Sequence, residues 1–119
     1  MLNKNKWNIE KFDEVTSTND VAKQKSEYNN DKLIIVADSQ TNGRGRRGNK
    51  WISQKGNLFF SQLFVSQVNV SHLVFISSLS LVEAIKSFFP KADITIKWPN
   101  DILLNEKKIA GILIEITDV

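Results

Sequence analysis

Every arginine in the chain falls in one stretch: Arg44, Arg46 and Arg47 of TNGRGRRGNKW (41–51). The other thirteen basic residues are lysines. The same stretch holds three of the five glycines, Gly43, Gly45 and Gly48. A guanidinium is a planar fork of N–H donors that meets carboxylate or phosphate oxygens two at a time, which the point charge of lysine does not. Glycines let a backbone turn with positive φ and approach a ligand closely, and successive N–H groups in such a turn form a nest for an anion. The loop therefore suits a small molecule carrying a carboxylate, a phosphate or both. Composition alone leaves two other readings open. One is a flexible, solvated loop. The other is a basic patch for RNA or DNA, since Arg-Gly segments bind single strands. No stacking aromatic lies among the arginines, and only Trp51 is close. The stretch is not a Walker loop, which needs Lys-Ser or Lys-Thr after its last glycine, nor the dinucleotide fingerprint, which opens directly into a helix.

A second stretch, IKWPNDILLNEKKIAGILIE (96–115), sets Lys97, Asn100 and Asp101 around Pro99 between two apolar runs. Proline fixes its own φ and holds Trp98 extended, so charge, amide and carboxylate share a rigid turn. A plain β-turn explains Asn100 and Asp101 equally well. Lys108 opens the next run, and Gly111 lies inside it. A glycine in a strand marks close approach of a ligand or another backbone. A lysine partly buried there needs an anionic partner, whereas an exposed hairpin lysine like Lys107 does not. His72, the single histidine, sits at a helix start and reads as structural.

The elements that must position these residues follow from periodicity. IEKFDEV (9–15) alternates and reads as a strand. TSTNDVAKQKSEYNN (16–30) reads as a helix start capped by Ser17 or Thr18, with Ser17 and Asp20 approximating a capping box. KLIIVADS (32–39) is a β-branched run, hence a buried strand. Residues 40–57 show no period and read as a long loop of the kind that is functional or disordered. NLFFSQLFVS (57–66) alternates as a strand. SHLVFISSLSLVEAIKSFFP (71–90) reads as a helix capped by Ser71 and ended before Pro90, with Leu73, Ile76, Leu79, Ser80, Val82 or Glu83, Ile85, Phe88 and Phe89 at helical spacing. DITIKW, DILLN and KIAGILIEITD read as three strands, the last two joined by a tight hairpin at NEKK. The class is α+β or mixed α/β around one sheet. The chain stops just after a strand, which suggests a shortened form of something longer.

A length of 119 residues sets one domain as the expectation. Hydrophobic content of 41% and charged content of 24% are those of a soluble globular protein. The absence of cysteine excludes disulfides and thiolate metal sites and fits a reducing compartment. The N-terminus has no signal-peptide run, and no uninterrupted apolar run reaches the roughly 18 residues of a membrane span. The reading is a cytoplasmic protein with no membrane partner. A net charge of +3 is too mild to argue for nucleic acid by itself.

Taken together, GRGRRGNKW (43–51) followed by KWPNDI and KKIAGIL resembles the catalytic domain of biotin–protein ligases. TSTND (16–20) resembles the Ser/Thr-Asn element of that family, and Gln40 stands where the family places a glutamine ahead of the loop. The resemblance covers residues 10–116. It implies a fold like the core of class II aminoacyl-tRNA synthetases, a mixed β-sheet flanked by helices. It also implies an ATP-dependent ligase that makes biotinyl-5′-adenylate and transfers biotin to a lysine of a biotin carboxyl carrier protein. By the match, Ser17, Thr18, Asn19, Gln40, Gly43, Arg44, Lys108 and Gly111 bind biotin. Arg44, Arg46, Arg47, Trp51, Lys97 and Asn100 bind ATP. Lys108 and Arg46 are the catalytic pair, and Asp101 orients the acceptor lysine. Mg²⁺ neutralises the triphosphate without a protein cage. Repulsion among the three arginines is expected to hold the loop open until an anion arrives.

The family continues beyond GILIE with a glycine- and asparagine-containing strand, further helices and a small barrel-like domain. This chain is therefore expected to hold the N-terminal part of the catalytic domain, 1–119, with no DNA-binding domain and with a homodimer or a complementing chain as possible partners. The competing readings are a lipoate–protein ligase-like enzyme, a non-catalytic biotin-binding remnant and an RNA-binding module.

Overall fold

The computed structural model describes residues 6–27 and 32–117. Its elements run β1 (Asn8–Val15), α1 (Thr18–Lys25), β2 (Leu33–Gln40), a 3₁₀ turn (Arg46–Gly48), β3 (Phe59–Leu63), α2 (Val70–Phe88), β4 (Ile94–Lys97), β5 (Asp101–Leu104) and β6 (Lys107–Gly111). The mixed strand pairing flanked by helices matches the α+β reading. The strands form two three-stranded sheets, β1–β2–β3 and β4–β5–β6, where a single sheet was expected. The chain divides into two compact units. The first is residues 1–66 with 115–119, and the second is residues 67–114.

In the first unit β2 lies in the centre, parallel to β1 and antiparallel to β3. A central strand with one face against a helix explains its apolar run. Leu33, Ile35 and Ala37 point inward and are almost wholly buried, and Ala22 of α1 packs on them with Phe12, Val21 and Leu63. Helix α1 connects the parallel pair. Ser17 caps it as expected: its Oγ accepts the N–H of Asp20 at 3.0 Å. The capping box does not close, because the Asp20 carboxylate turns instead to Thr16 Oγ1 and Arg44. Residues 28–30 of the expected helix lie outside the described residues.

In the second unit β4, β5 and β6 form an antiparallel meander. The hairpin at NEKK is present, with Asn105 and Glu106 both at positive φ (49° and 69°), the backbone of a two-residue primed turn. Helix α2 is capped by Asn69 rather than Ser71: the Asn69 Oδ1 accepts the Ser71 N–H at 2.9 Å. Its inward face also differs from expectation. Leu73, Val74, Ser77, Ser78, Leu81, Val82 and Ile85 are covered, while Phe75, Ile76, Leu79 and Phe88 are exposed. A helix apolar nearly all round has no stripe to announce which side turns in. By length and composition alone, α2 is long and apolar enough to cross a membrane. Serines, Glu83 and Lys86 interrupt it, so it holds no long unbroken apolar run. The last expected strand ends at Gly111, and residues 112–117 continue without regular structure.

Candidate active site

The arginine stretch, expected as part of a structureless loop from 40 to 57, is an ordered ribbon at its tip. Gly45 N–H donates to Asn49 O at 2.7 Å and Trp51 N–H to Gly43 O at 2.9 Å, with Arg44 bridged to Lys50. The 3₁₀ turn Arg46–Gly48 closes the ribbon, with Arg47 at φ 59° and Gly48 at φ 75°. A bulky residue in the left-handed region is an outlier that points to a site. At its base, Thr41 N–H donates to Val15 O (2.9 Å) and Asn42 N–H to Thr16 O (2.8 Å). These bonds bring the ribbon beside the cap of α1.

There the structure gathers most of the residues expected to meet the acid. Ser17, Thr18 and Ser61 are buried. A buried hydroxyl must be hydrogen-bonded or it destabilises the fold, and each of these is bonded. Thr18 Oγ1 and Ser61 Oγ lie 2.7 Å apart. Ser61 Oγ also donates to Asn19 Oδ1 in a very short bond. Thr18 N–H donates to Gln40 Oε1 at 2.8 Å, Gln40 Nε2 to Ser53 Oγ at 2.9 Å, and Ser53 Oγ to Trp51 O at 2.9 Å. Gly43 fits inside this network. A β-carbon on it would stand 2.7 Å from both Gln40 Nε2 and Trp51 O, and closer still to Ser53 Oγ. The close approach at Gly43 is thus made to the protein's own atoms.

Arg44 joins this cluster through carboxylates that the sequence did not announce. Its Nη2 donates to Glu115 Oε1 at 2.7 Å, its Nε to Glu115 Oε2 at 3.4 Å, and its Nη1 reaches Asp20 Oδ1 (2.8 Å) and Ser17 Oγ (3.1 Å). Glu115 also accepts from Asn19 Nδ2 at 2.9 Å and pairs with Lys23 at 3.1 Å. Burial alone would push the Glu115 carboxyl up, but the bonds from Arg44, Asn19 and Lys23 outweigh it and hold the group at about 2. The hydrogen bond to Glu115 raises the Arg44 guanidinium above its ordinary value, against the opposing effect of burial. Ser53, Ser61 and Lys23 carry no signal of a site role in the sequence, and Asp20 stood out there only as a capping residue. The one available signal was Glu115 itself, an acid inside the apolar run GILIEI, which needs a partner. Arg46 and Arg47 are exposed, and Trp51 is half-buried.

The remaining candidates lie in the second unit. Lys108 Nζ pairs with Asp101 Oδ1 at 3.0 Å, so the expected central lysine already has its anion. Gly111 closes β6 opposite Asp101. Asn100 is buried, and its Nδ2 donates to Ile112 O at 2.7 Å while Ile112 N–H returns to Asn100 O at 3.1 Å. Its amide thus locks the turn to the segment after β6. Lys97 is exposed at the end of β4. Among the described residues no three His, Asp or Glu side chains converge as a metal cage.

A profile of the biotin/lipoate A/B protein ligase family matches residues 11–118. The biotin–[acetyl-CoA-carboxylase] ligase of Paracoccus denitrificans is 40% identical over 85 residues, spanning 68% of this chain and 35% of that protein. The bifunctional ligase/repressor BirA of Bacillus spizizenii is 36% identical over 107 residues, spanning 87% and 33%. Among solved structures, the Leishmania major biotin protein ligase in complex with biotinyl-5-AMP superposes with a TM-score of 0.83 at 33% identity, covering 92% of this chain and 52% of that one. The Aquifex aeolicus biotin protein ligase with biotin and ATP gives 0.81 at 38%, covering 92% and 47%. The chain therefore spans about a third of the length of these curated relatives and about half of the solved chains. With the profile running through both units and the ordered motifs in place, the chain belongs to the biotin/lipoate A/B protein ligase family.

Proposed function

We propose that this chain carries the acid-activating part of an ATP-dependent biotin–protein ligase. A carboxylate oxygen of biotin attacks the α-phosphorus of ATP, the bond to the β-phosphate breaks, and pyrophosphate leaves with biotinyl-5′-adenylate formed. The amine of an acceptor lysine then attacks the acyl carbon, AMP leaves and the amine loses a proton. The acceptor is a lysine of a biotin carboxyl carrier protein. The observation that carries the reading is the hydrogen-bonded cluster of buried Ser17, Thr18 and Ser61 with half-buried Asn19 and Gln40. It is a set of fixed donors and acceptors of the kind a polar ring needs, in a chain that superposes on ligases solved with biotin, ATP and biotinyl-5-AMP.

Each candidate residue has a place in this chemistry. Ser17, Thr18, Asn19 and Gln40 meet the ureido ring, with Gly43 leaving room for the Gln40–Ser53 bond and Gly111 letting backbone close in. Both reactants are anions, so cations must hold them together and stabilise the charge of the transition state. Arg46 and Arg47 supply these from the loop, and Lys97 and Asn100 from the KWPND turn, while Arg44 stays on the biotin side with its carboxylate partners. Lys108 exchanges its Asp101 partner for the reacting oxygens, which frees Asp101 to orient the incoming amine. Trp51 walls the adenine. Mg²⁺ arrives on the triphosphate, whose oxygens and water hold it. The reading includes a cytoplasmic setting with no membrane partner, and residues 1–119 as part of a larger catalytic domain.

Mass spectrometry of the chain incubated with biotin, ATP and Mg²⁺ tests the proposal. Biotinyl-5′-adenylate forms, and Lys108→Ala abolishes it. No adenylate from the folded chain would leave a non-catalytic biotin-binding remnant. The family also takes lipoate, and the relatives named above favour biotin. Stronger thermal protection by lipoate than by biotin would reverse that choice.

A further inference from the structure

The hydroxyls of the cluster have a direction, and it is set from outside the cluster. Glu115 is an ionised carboxylate, so it only accepts. Asn19 must therefore turn its Nδ2 to Glu115, which leaves Oδ1 facing Ser61. Ser61 spends its single proton on that Oδ1. Between Thr18 and Ser61 the donor must then be Thr18. Thr18 Oγ1 has given its proton away and keeps lone pairs. Ser17 is the reverse. Its Oγ accepts from Asp20 N–H at 3.0 Å and from Arg44 Nη1 at 3.1 Å, so both lone pairs are taken and its own proton is what it has left to give. Two adjacent residues are thus fixed as one donor, Ser17, and one acceptor, Thr18.

We propose that Arg44 and Glu115 are positioning residues that impose this donor–acceptor order, fitting the cluster to a cyclic urea, whose C=O accepts beside N–H groups that donate. This inference rests on the biotin reading above and goes further in assigning Arg44. Four of its five N–H donors go to Glu115, Asp20 and Ser17. With Lys23 the cluster holds two positive and two negative charges and is neutral. An arriving phosphate would have to displace carboxylates already seated at 2.7 and 2.8 Å. Arg46 and Arg47 stand exposed on the turn of the ribbon, and among the described residues no carboxylate pairs with either. Phosphate falls to these two, and Arg44 serves the ring.

The test compares two ligands on the full chain by calorimetry: biotin, and its cyclic-guanidine analogue, in which C=NH₂⁺ replaces the carbonyl. A donor facing a donor should make the wild type prefer the urea by about tenfold or more. Glu115→Gln, whose amide can face either way, should shrink that preference at least about threefold, and Arg44→Lys should do the same. ATP affinity should stay within about twofold in both variants. A ratio of two ligands on one protein is unmoved by a uniform loss of folded material. An unchanged preference in both variants, or an ATP affinity that falls with that for biotin, overturns the inference while leaving the ligase reading standing. A wild type that binds neither biotin nor ATP overturns both.

Discussion

Three glycines of one loop should respond to alanine in three different ways. At Gly43 the new methyl meets Ser53 Oγ, Gln40 Nε2 and Trp51 O at or below 2.7 Å, and all three are already hydrogen-bonded to one another. Overpacking of this kind costs about 1–3 kcal/mol. Displacing the Gln40–Ser53 bond adds about 1 kcal/mol. A loss of about 3 kcal/mol corresponds to about 10 °C in Tm for a chain of this size. At Gly48 no atom lies within 4 Å of the added carbon, but φ is 75°, so only backbone strain of about 1 kcal/mol is expected. At Gly45 the nearest atoms are at 3.8 Å, ordinary contact, and the change should stay within about 0.5 kcal/mol. Thermal melts by circular dichroism rank the three. Biotin affinity should fall with Gly43→Ala alone, because Gln40 anchors the Thr18 backbone. A Gly43→Ala chain melting within about 2 °C of the wild type would refute the packing argument. So would a Gly45→Ala chain as unstable as Gly43→Ala.

Two further outcomes follow from the geometry. The Glu115 carboxyl is held at about 2 against an ordinary 4.5, so its pairing stabilises the fold fully above about pH 5 and is lost as pH falls towards 2. With its side chain a quarter exposed, screening leaves about 2 kcal/mol of this; urea unfolding between pH 7 and 2 should show the wild type losing that much more than Glu115→Gln, and parallel curves would count against it. In the second unit, Glu106 sits at φ 69° in a primed turn after Asn105. Glu106→Gly should raise stability by about 0.5–1 kcal/mol, checked by urea unfolding; a loss would mean the turn is not of that type.

The sequence exposed what is local. The Ser17 cap, the β-branched run of β2 and the NEKK hairpin each depend on neighbours in the chain, and each stood where expected. The arginine loop was visible as chemistry but not as structure. Its order comes from backbone bonds such as Gly45 to Asn49 and Trp51 to Gly43, which leave no periodic trace. The inward face of α2 was misplaced because Phe75, Ile76 and Leu79 are as apolar as the residues that turn in. Ser61 looked like any strand serine until β3 brought it against Thr18. The carboxylate partners of Arg44, Asp20 and Glu115, are brought to it only in three dimensions. Lys108 is exposed, as the plain hairpin reading has it, and pairs with Asp101 of the adjacent strand.

Glu115 reaches Asn19 across 96 residues of chain and Arg44 across 71. The second unit is synthesised in between. A chain emerging from the ribosome at about 5–20 residues per second spends several seconds with Arg44 and Asn19 already outside and their carboxylate still unmade. During that interval the Asn19 amide is free to face either way, and the hydroxyl order it governs is unset. The cluster around Arg44 and Asn19 is consequently a late product of folding, completed only when the chain returns to its first unit. Chains arrested anywhere in the second unit would present the arginine ribbon without the carboxylate that pairs with Arg44.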